Sequence, residues 1–273
     1  IIKLPKYCND MNMNNIKQFT IKKENNDYYI IFVYSEKEND KILNKDNYIS
    51  IDLGYSELVT CYSNKIDNFS INNLKLKKLQ KRIEYLQSYK DNHKKNSIKY
   101  KKINKRYKQI KSTQVNKIKD FQHKVSSIII NKCIDNNIGN LIVGDIKVKK
   151  IITKDNKKLS GMSKSTLSIS RFKTLLEYKS NKAGIEYHSI NEAFTSQQNC
   201  LTGEIMFSSN LSNRIVEVKP NLFIDRDLNS AINIAKKCKV IWSDHLLNFN
   251  LDKMYLNINS GKLNFCQNID KKY

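Results

Sequence analysis

Residues 223–237 read FIDRDLNSAINIAKK. At a helical period, Asp227, Ala231, Ile234 and Cys238 fall on one face at spacings of four, three and four. The first charged member of that face therefore points where the apolar members point, toward a core. A carboxylate aimed inward is costly unless a cation or hydrogen-bond donors meet it. Asp225 is accounted for as the helix N-cap, with Leu228 at N3, because a carboxylate there accepts free backbone N–H groups and suits the helix dipole. A cap does not absorb both acids. Asp227 requires a positive partner from elsewhere in the fold.

Periodicity supplies the rest of the frame. FTIKK and YYIIFVYSE read as short strands within residues 1–45. YISIDLG and ELVTCYSN read as a hairpin over 48–70, turning at Gly54. From 72 to 133 the period changes. Leu76, Leu79, Ile83 and Leu86, then Ile103, Tyr107 and Ile110, then Val115, Ile118 and Phe121, repeat at helical spacing around the polar break SYKDNHKKNS. This predicts a long helical hairpin with an apolar seam. NLIVGDIKV (140–148) reads as a buried strand. STLSISRFKTLLEYKSNKAG reads as a helix capped by Ser168 and ended by Gly184. IEYHSINEAF reads as a strand running toward Glu192. Residues 199–222 read as irregular apart from strands around NRIVEVK, and 239–273 as a polar tail. Strand–helix–strand alternation after an early hairpin predicts an α/β fold, a mixed sheet covered by helices.

Charge narrows the partners. Lys and Arg total 49 against 26 Asp and Glu, a formal charge of +23, which points to a polyanion: nucleic acid or an acidic membrane. Between 71 and 119 the only acids are Glu84 and Asp91. Lys78, Lys81, Arg82, Lys105 and Arg106 on the helical hairpin, with Arg171 and Lys179 on the later helix, are the candidate phosphate contacts. Tyr85, Tyr100 and Tyr107 are candidates for stacking on bases or for packing in the seam. No run of about eighteen apolar residues exists to span a membrane, and IIKLPKYCND lacks the apolar core of a secretory signal. The chain does not begin with Met, so an N-terminal part is expected to be missing. Six cysteines, at 8, 61, 133, 200, 238 and 266, form no C-x-x-C pair. They read as reduced thiols of a cytoplasmic protein, nucleoid-associated if bacterial.

In open α/β sheets, sites form beyond the carboxyl ends of strands. Asp52 lies in YISIDLG, Asp145 closes LIVGD, Glu192 follows EYHSIN, and Asp227 begins the last helix. Such a cluster of acids suits hard divalent cations, and two Mg²⁺ ions would clamp the attacking and leaving oxygens of a phosphodiester displacement.

On these residues the chain resembles TnpB-type proteins, the transposon-encoded relatives of type V CRISPR effectors. SIDLGYSELVT resembles their first RuvC motif, the basic insertion ending DFQHKVS their inter-motif helices, and FKTLLEYKSNKAGIEYHSINEAFTSQQNC the stretch around their tyrosine-lysine helix and Thr-Ser motif. DRDLNSAINI resembles their third RuvC motif. The resemblance implies an RNase H-like (RuvC) nuclease domain over 46–238, with the helical insertion 72–133 and a degenerate ribbon region 197–222. It also implies that 1–45 is the end of a β-rich, wedge-like nucleic-acid-binding region. It implies an RNA-guided DNA endonuclease with guide RNA and target DNA as partners and two Mg²⁺ ions. Asp52 matches the first catalytic acid and Asp227 the third, followed by Asn229. Where the second motif ends in Glu and Asp, this chain has Gly144 and Asp145. Either Asp145 or Glu192 then serves as the middle acid, and Glu192 is favoured, as the longer side chain on a neighbouring strand. The relatives' four-cysteine ribbon is reduced to Cys200, so no structural zinc is expected. His123, His188, Thr195 and Ser196 lack partners at a readable spacing and are assigned structural or substrate-contact roles. The missing Glu at 144 also admits a rival reading: a catalytically inactive RNA-guided DNA-binding protein or a transposase remnant. A plain basic nucleic-acid binder would explain the charge but not the ordered motifs.

Overall fold

The protein, as a computed structural model, is described over residues 13–24, 27–35, 42–54, 57–72, 74–145, 169–206, 214–238, 253–259 and 262–266. The chain divides into two units, 1–40 and 41–273. In the first, β1 (Ile16–Glu24) and β2 (Asp27–Tyr34) pair antiparallel, with Phe19 opposite Phe32 and Ile21 opposite Ile30. Their aromatic and β-branched residues favour the pleated pairing.

The second unit is built on β3 (Tyr48–Leu53), β4 (Glu57–Ser63) and β5 (Asn68–Asn72), an antiparallel meander. The hairpin read from the sequence over 48–70 thus gains a third strand, because the polar NFSIN buries Phe69 and Ile71. Next come α1 (Leu74–Asp91) and the 38-residue α2 (Ile98–Asp135), capped by Ser97, whose side chain accepts from the Tyr100 N–H. The predicted helical hairpin is therefore present. Its seam holds Ile83, Leu86 and Ile118, together with a hydrogen bond from Gln114 Nε2 to Gln80 Oε1 of 2.7 Å. Then follow β6 (Asn140–Asp145), α3 (Ile169–Lys182), β7 (Glu186–Asn191), the hairpin β8 (Ile215–Lys219) and β9 (Leu222–Asp225), and α4 (Arg226–Lys237). Gly184 ends the α3 segment at φ 73°, a conformation that costs glycine little. Ser168, the expected cap of that helix, lies outside the described residues.

Last come β10 (Lys253–Asn259) and β11 (Lys262–Cys266). They correct the reading of 239–273 as a tail: β10 adds to the sheet in parallel with β5, a long-range pairing that its polar pattern does not announce. The sheet runs β11-β10-β5-β4-β3-β6-β7, with β6 parallel to β3 and β7 parallel to β6.

Alternation along the strands sorts side chains onto two faces. Ile49, Ile51, Leu53, Leu141 and Val143 pack with Val125 and Ile129 of α2 and Phe172 and Leu176 of α3. Tyr48, Ile142 and Ile190 pack on the other face with Leu228, Ala231, Ile232 and Ile234 of α4. Burying each such aliphatic side chain contributes about 1.5–3 kcal/mol. Ser50, on the α4 face, donates to the Ala231 carbonyl at 2.8 Å and fixes the helix over β3.

Candidate active site

Asp52 is two residues past Ser50 on β3, so it shares the α4 face. The β3–β6 register pairs Ile51 with Val143, which sets Asp52 beside Gly144. The β6–β7 register pairs Gly144 with Ile190, and Glu192 follows two residues later on that same face. Asp227 sits in the first turn of α4. The charges of Glu192 and Asp227, from distant parts of the chain, both act on Asp52.

The seat of Glu192 is set by Gly144. A Cβ built on Gly144 would stand 2.6 Å from Glu192 Oε2 and 2.9 Å from Ile234 Cδ1. The absent side chain leaves the space that the Glu192 carboxylate fills. Glu192 Oε2 is buried and has no hydrogen-bond partner among the described residues. Burial, and the nearby Asp145 charge, push the Glu192 carboxyl up from an ordinary 4.5 to about 7, with Lys173 acting in the opposite direction. Asp52 is raised well above the carboxylate range, first by desolvation, then by Glu192 and Asp227, with Arg226 opposing. Asp225 caps α4 as expected, accepting from the Asp227 and Leu228 N–H groups at 2.9 and 3.1 Å. The positive partner that Asp227 meets is Arg226, whose Nη2 donates to Oδ1 at 3.2 Å.

Asp145, the alternative middle acid, is held differently. It is the residue after Gly144, so it points to the α3 face, where it is ion-paired with Lys173. Its charge nevertheless reaches Glu192 and helps to raise that carboxyl.

The donor set fits a hard divalent cation: carboxylates only, one with an orphaned buried oxygen, with Asp52 and Glu192 raised by burial and by neighbouring charge. Among the described residues, no group of three or more His, Cys, Asp or Glu side chains already stands in position to hold an ion. The pH dependence follows from the raised acids. A carboxyl whose folded pKa exceeds its unfolded one stabilises fully below the unfolded value, and that stability is lost as pH rises through the folded value. The metal-free protein is therefore expected to melt at progressively lower temperature as pH rises from about 4.5 to beyond 7. Thermal scans should show that slope flattened by Glu192→Gln.

The segment after Glu192 is tied to α4. Thr195 donates through Oγ1 to the Glu192 carbonyl at 2.8 Å. Asn229, fully buried, accepts from the Cys200 N–H at 2.9 Å and donates to the Gln198 carbonyl at 2.8 Å. Asn233 donates to the Thr195 and Gln198 carbonyls at 2.9 and 2.6 Å. Thr195 is thus structural, and the Asn of the DRDLN motif is a latch. The sequence signal for it was a pair of amides four residues apart on the buried side of a helix.

Residues 31–149 match the family model for a probable transposase, OrfB of the IS605 type, and residues 170–234 match the model for the Cas12f1-like TNB domain. A solved Cas12f1–sgRNA–target DNA complex superposes with a TM-score of 0.52 at 14% identity, covering 78% of this chain and 54% of that one. A CRISPR-Cas12f ternary complex gives 0.56 at 19% identity, covering 79% and 44%.

The chain is a TnpB/Cas12f-type protein.

Its sheet order and these likenesses make the fold RNase H-like. This TnpB/Cas12f-type chain spans about half the length of the solved relatives it matches. No curated protein matches it.

The predicted phosphate contacts separate on the structure. Lys78, Lys81, Arg82, Lys105 and Arg106 are exposed on α1 and α2, and Arg171 is half-buried on α3. Lys179 is different and corrects the expectation. Its Nζ donates to the His123 carbonyl and to Ser126 and Ser127 Oγ, each at 2.8 Å. All three donors of the ammonium are spent as a strut between α3 and α2. Lys179→Met is expected to cost about 1–2 kcal/mol in a denaturant titration, with nucleic-acid affinity unchanged. Tyr100 and Tyr107 lie under Lys90 Nζ at 5.8 and 4.8 Å in the seam, whereas Tyr85 is exposed. His188 Nε2 shares a 2.8 Å hydrogen bond with Asn140 Oδ1 across β6 and β7. Cys61, Cys133, Cys200 and Cys238 are buried cysteines outside any disulfide. Among the described residues no helix is long and apolar enough to cross a membrane.

Proposed function

We propose that this chain is the RuvC portion of an RNA-guided, Mg²⁺-dependent DNA endonuclease of TnpB type, with Asp52, Glu192 and Asp227 as its metal-holding acids. The observation that carries the reading is the Glu192 carboxylate seated in the space over Gly144, on the same face as Asp52. It supports a middle acid moved from β6 to the end of β7. When bound, a pair of divalent ions supplies charge stabilisation to both oxygens of an in-line phosphodiester displacement.

The chain's own contribution is placement. β3 and α4 hold Asp52 and Asp227 through the Ser50–Ala231 bond and the Asp225 cap. Asn229 and Asn233 hold the segment behind Glu192. Lys173 is ion-paired with Asp145. The exposed cations of α1 and α2 are suited to the phosphates of guide RNA and its DNA hybrid. Replacing Lys105 and Arg106 by alanine should reduce the log–log salt slope of duplex binding by about 0.9 for each phosphate no longer neutralised, read by anisotropy across a salt series.

The lack of a ready three-acid ligand group among the described residues favours a second reading, an inactive RNA-guided DNA-binding protein. One experiment separates the two. The full-length protein is purified with its RNA and given matched target DNA with Mg²⁺ or with EDTA. Cleavage with Mg²⁺ that is abolished by EDTA and by Asp52→Ala supports the nuclease. Guide-dependent binding without cleavage supports the inactive protein.

A further inference from the structure

The seam with α2 takes Gln80, Ile83, Leu86 and Lys90, all buried. At about 100° per residue, Lys78, Lys81, Arg82, Tyr85 and Tyr89 fall within about 100° of arc on the side turned away from that seam. Glu84 and Asp91 lie about 100° or more round the helix from Tyr85. The stripe is therefore cationic and aromatic without an acid in it. Tyr85 is 67% exposed and Tyr89 38%. Their rings are parallel within 4°, with centroids 6.1 Å apart, and His93 meets the Tyr89 ring edge-on at 5.0 Å. Packing does not hold Tyr85, since it faces solvent. Lys78, Lys81 and Arg82 have no carboxylate partner among the described residues.

We infer that this face of α1 is a stacking site for unpaired nucleotides: the tyrosine rings take bases, and Lys78, Lys81 and Arg82 take the phosphates that follow. The occupant follows from the chemistry. A π face of any base stacks on tyrosine, and a strand that bears a phosphate at every nucleotide matches cations one helical turn away. A duplex buries its base faces and has no use for the rings. The site shares with the proposed function only its polyanionic partner and does not involve the acids.

The test uses the full chain in EDTA, so that binding is read without cleavage. Fluorescein-labelled dT and rU strands of about twenty nucleotides, longer than a typical single-strand site, are compared with a DNA duplex of equal length by anisotropy. Tyr85→Ala with Tyr89→Ala is expected to weaken single-strand binding about tenfold or more and duplex binding less than about twofold. Tyr85→Phe with Tyr89→Phe, which keeps the rings, should bind as the parent does. Lys81→Ala with Arg82→Ala should weaken both probes. The dT and rU arms decide whether DNA or RNA is preferred. A 5-iodouracil strand should photocrosslink to the peptide holding Tyr85 and Tyr89, a readout that does not depend on any variant folding. Alanine variants that bind as the parent does, that lose duplex and single strand alike, or that change only the oligomeric state overturn the inference, as do crosslinks that fall only elsewhere. Guided cleavage with an idle tyrosine pair would retire this inference alone. A working pair without cleavage would retire the nuclease reading alone.

Discussion

Replacing Glu192 by glutamine in the guide-loaded protein is expected to slow DNA cleavage by more than about a hundredfold, beyond the usual loss for an outer-shell partner of a metal site. DNA binding should be kept. Glutamine preserves the shape over Gly144 but removes the charge that a hard cation requires. The same change should raise, not lower, the melting temperature of the metal-free protein above neutral pH. It removes a carboxylate whose ionised form is disfavoured by burial and by Asp145. Loss of activity together with a gain of stability separates a lost ligand from a damaged fold. Asp145→Asn makes the contrast. It breaks a half-exposed ion pair with Lys173, worth about 0–1 kcal/mol, and should leave cleavage within about fivefold of the parent. Equal damage from both variants would return Asp145 to the site. The position can also be moved back. Gly144→Glu alone forces its Cβ to within 2.6 Å of Glu192 Oε2 and is expected to destabilise by about 1–3 kcal/mol through overpacking. Combined with Glu192→Gly, the same carboxylate reoccupies the freed space, and cleavage should recover.

Asn229→Ala is expected to give the largest loss of stability among single substitutions near the site. Asn233 donates to the same Gln198 and Thr195 carbonyls, so these remain satisfied. The Cys200 N–H does not; its acceptor, Asn229 Oδ1, is gone. A stranded buried donor costs about 1–3 kcal/mol, a fall in melting temperature of roughly 2–12 °C for a domain of this size. Calorimetry reads the first effect. The second is on cleavage, because residues 195–200 follow Glu192 directly and a misplacement of about 1 Å in a catalytic group can cost a hundredfold. A variant that melts lower yet cuts at the parental rate would show that the latch serves stability alone.

Much of this site was legible from spacing. Asp52 follows β-branched residues before a glycine turn. Asp225 and Asp227 divide into cap and inward acid because a helix start accepts only one cap. The choice between Asp145 and Glu192 was half legible: period-2 alternation puts Ile142 and Gly144 on one face and Asp145 on the other. Which face α4 would cover is a long-range fact that no local pattern carries. The same limit hid β5 and β10, whose polar sequences become strands only against their neighbours, and the strut made by Lys179, whose acceptors lie 52 to 56 residues earlier in the chain. Tyr85 and Tyr107 looked alike in sequence because both sit on basic helices. Their difference is the α1–α2 seam, which holds Tyr107 under Lys90 and leaves Tyr85 in solvent.

Convergence of Asp52, Glu192 and Asp227 on a divalent cation is most directly tested by diffraction from the guide- and DNA-bound protein soaked with Mn²⁺, with data collected at the manganese edge. Anomalous density is expected among these three carboxylates, with Asp145 still on Lys173. Density at Asp145 with Glu192 turned away, or none near Asp52, would contradict that convergence.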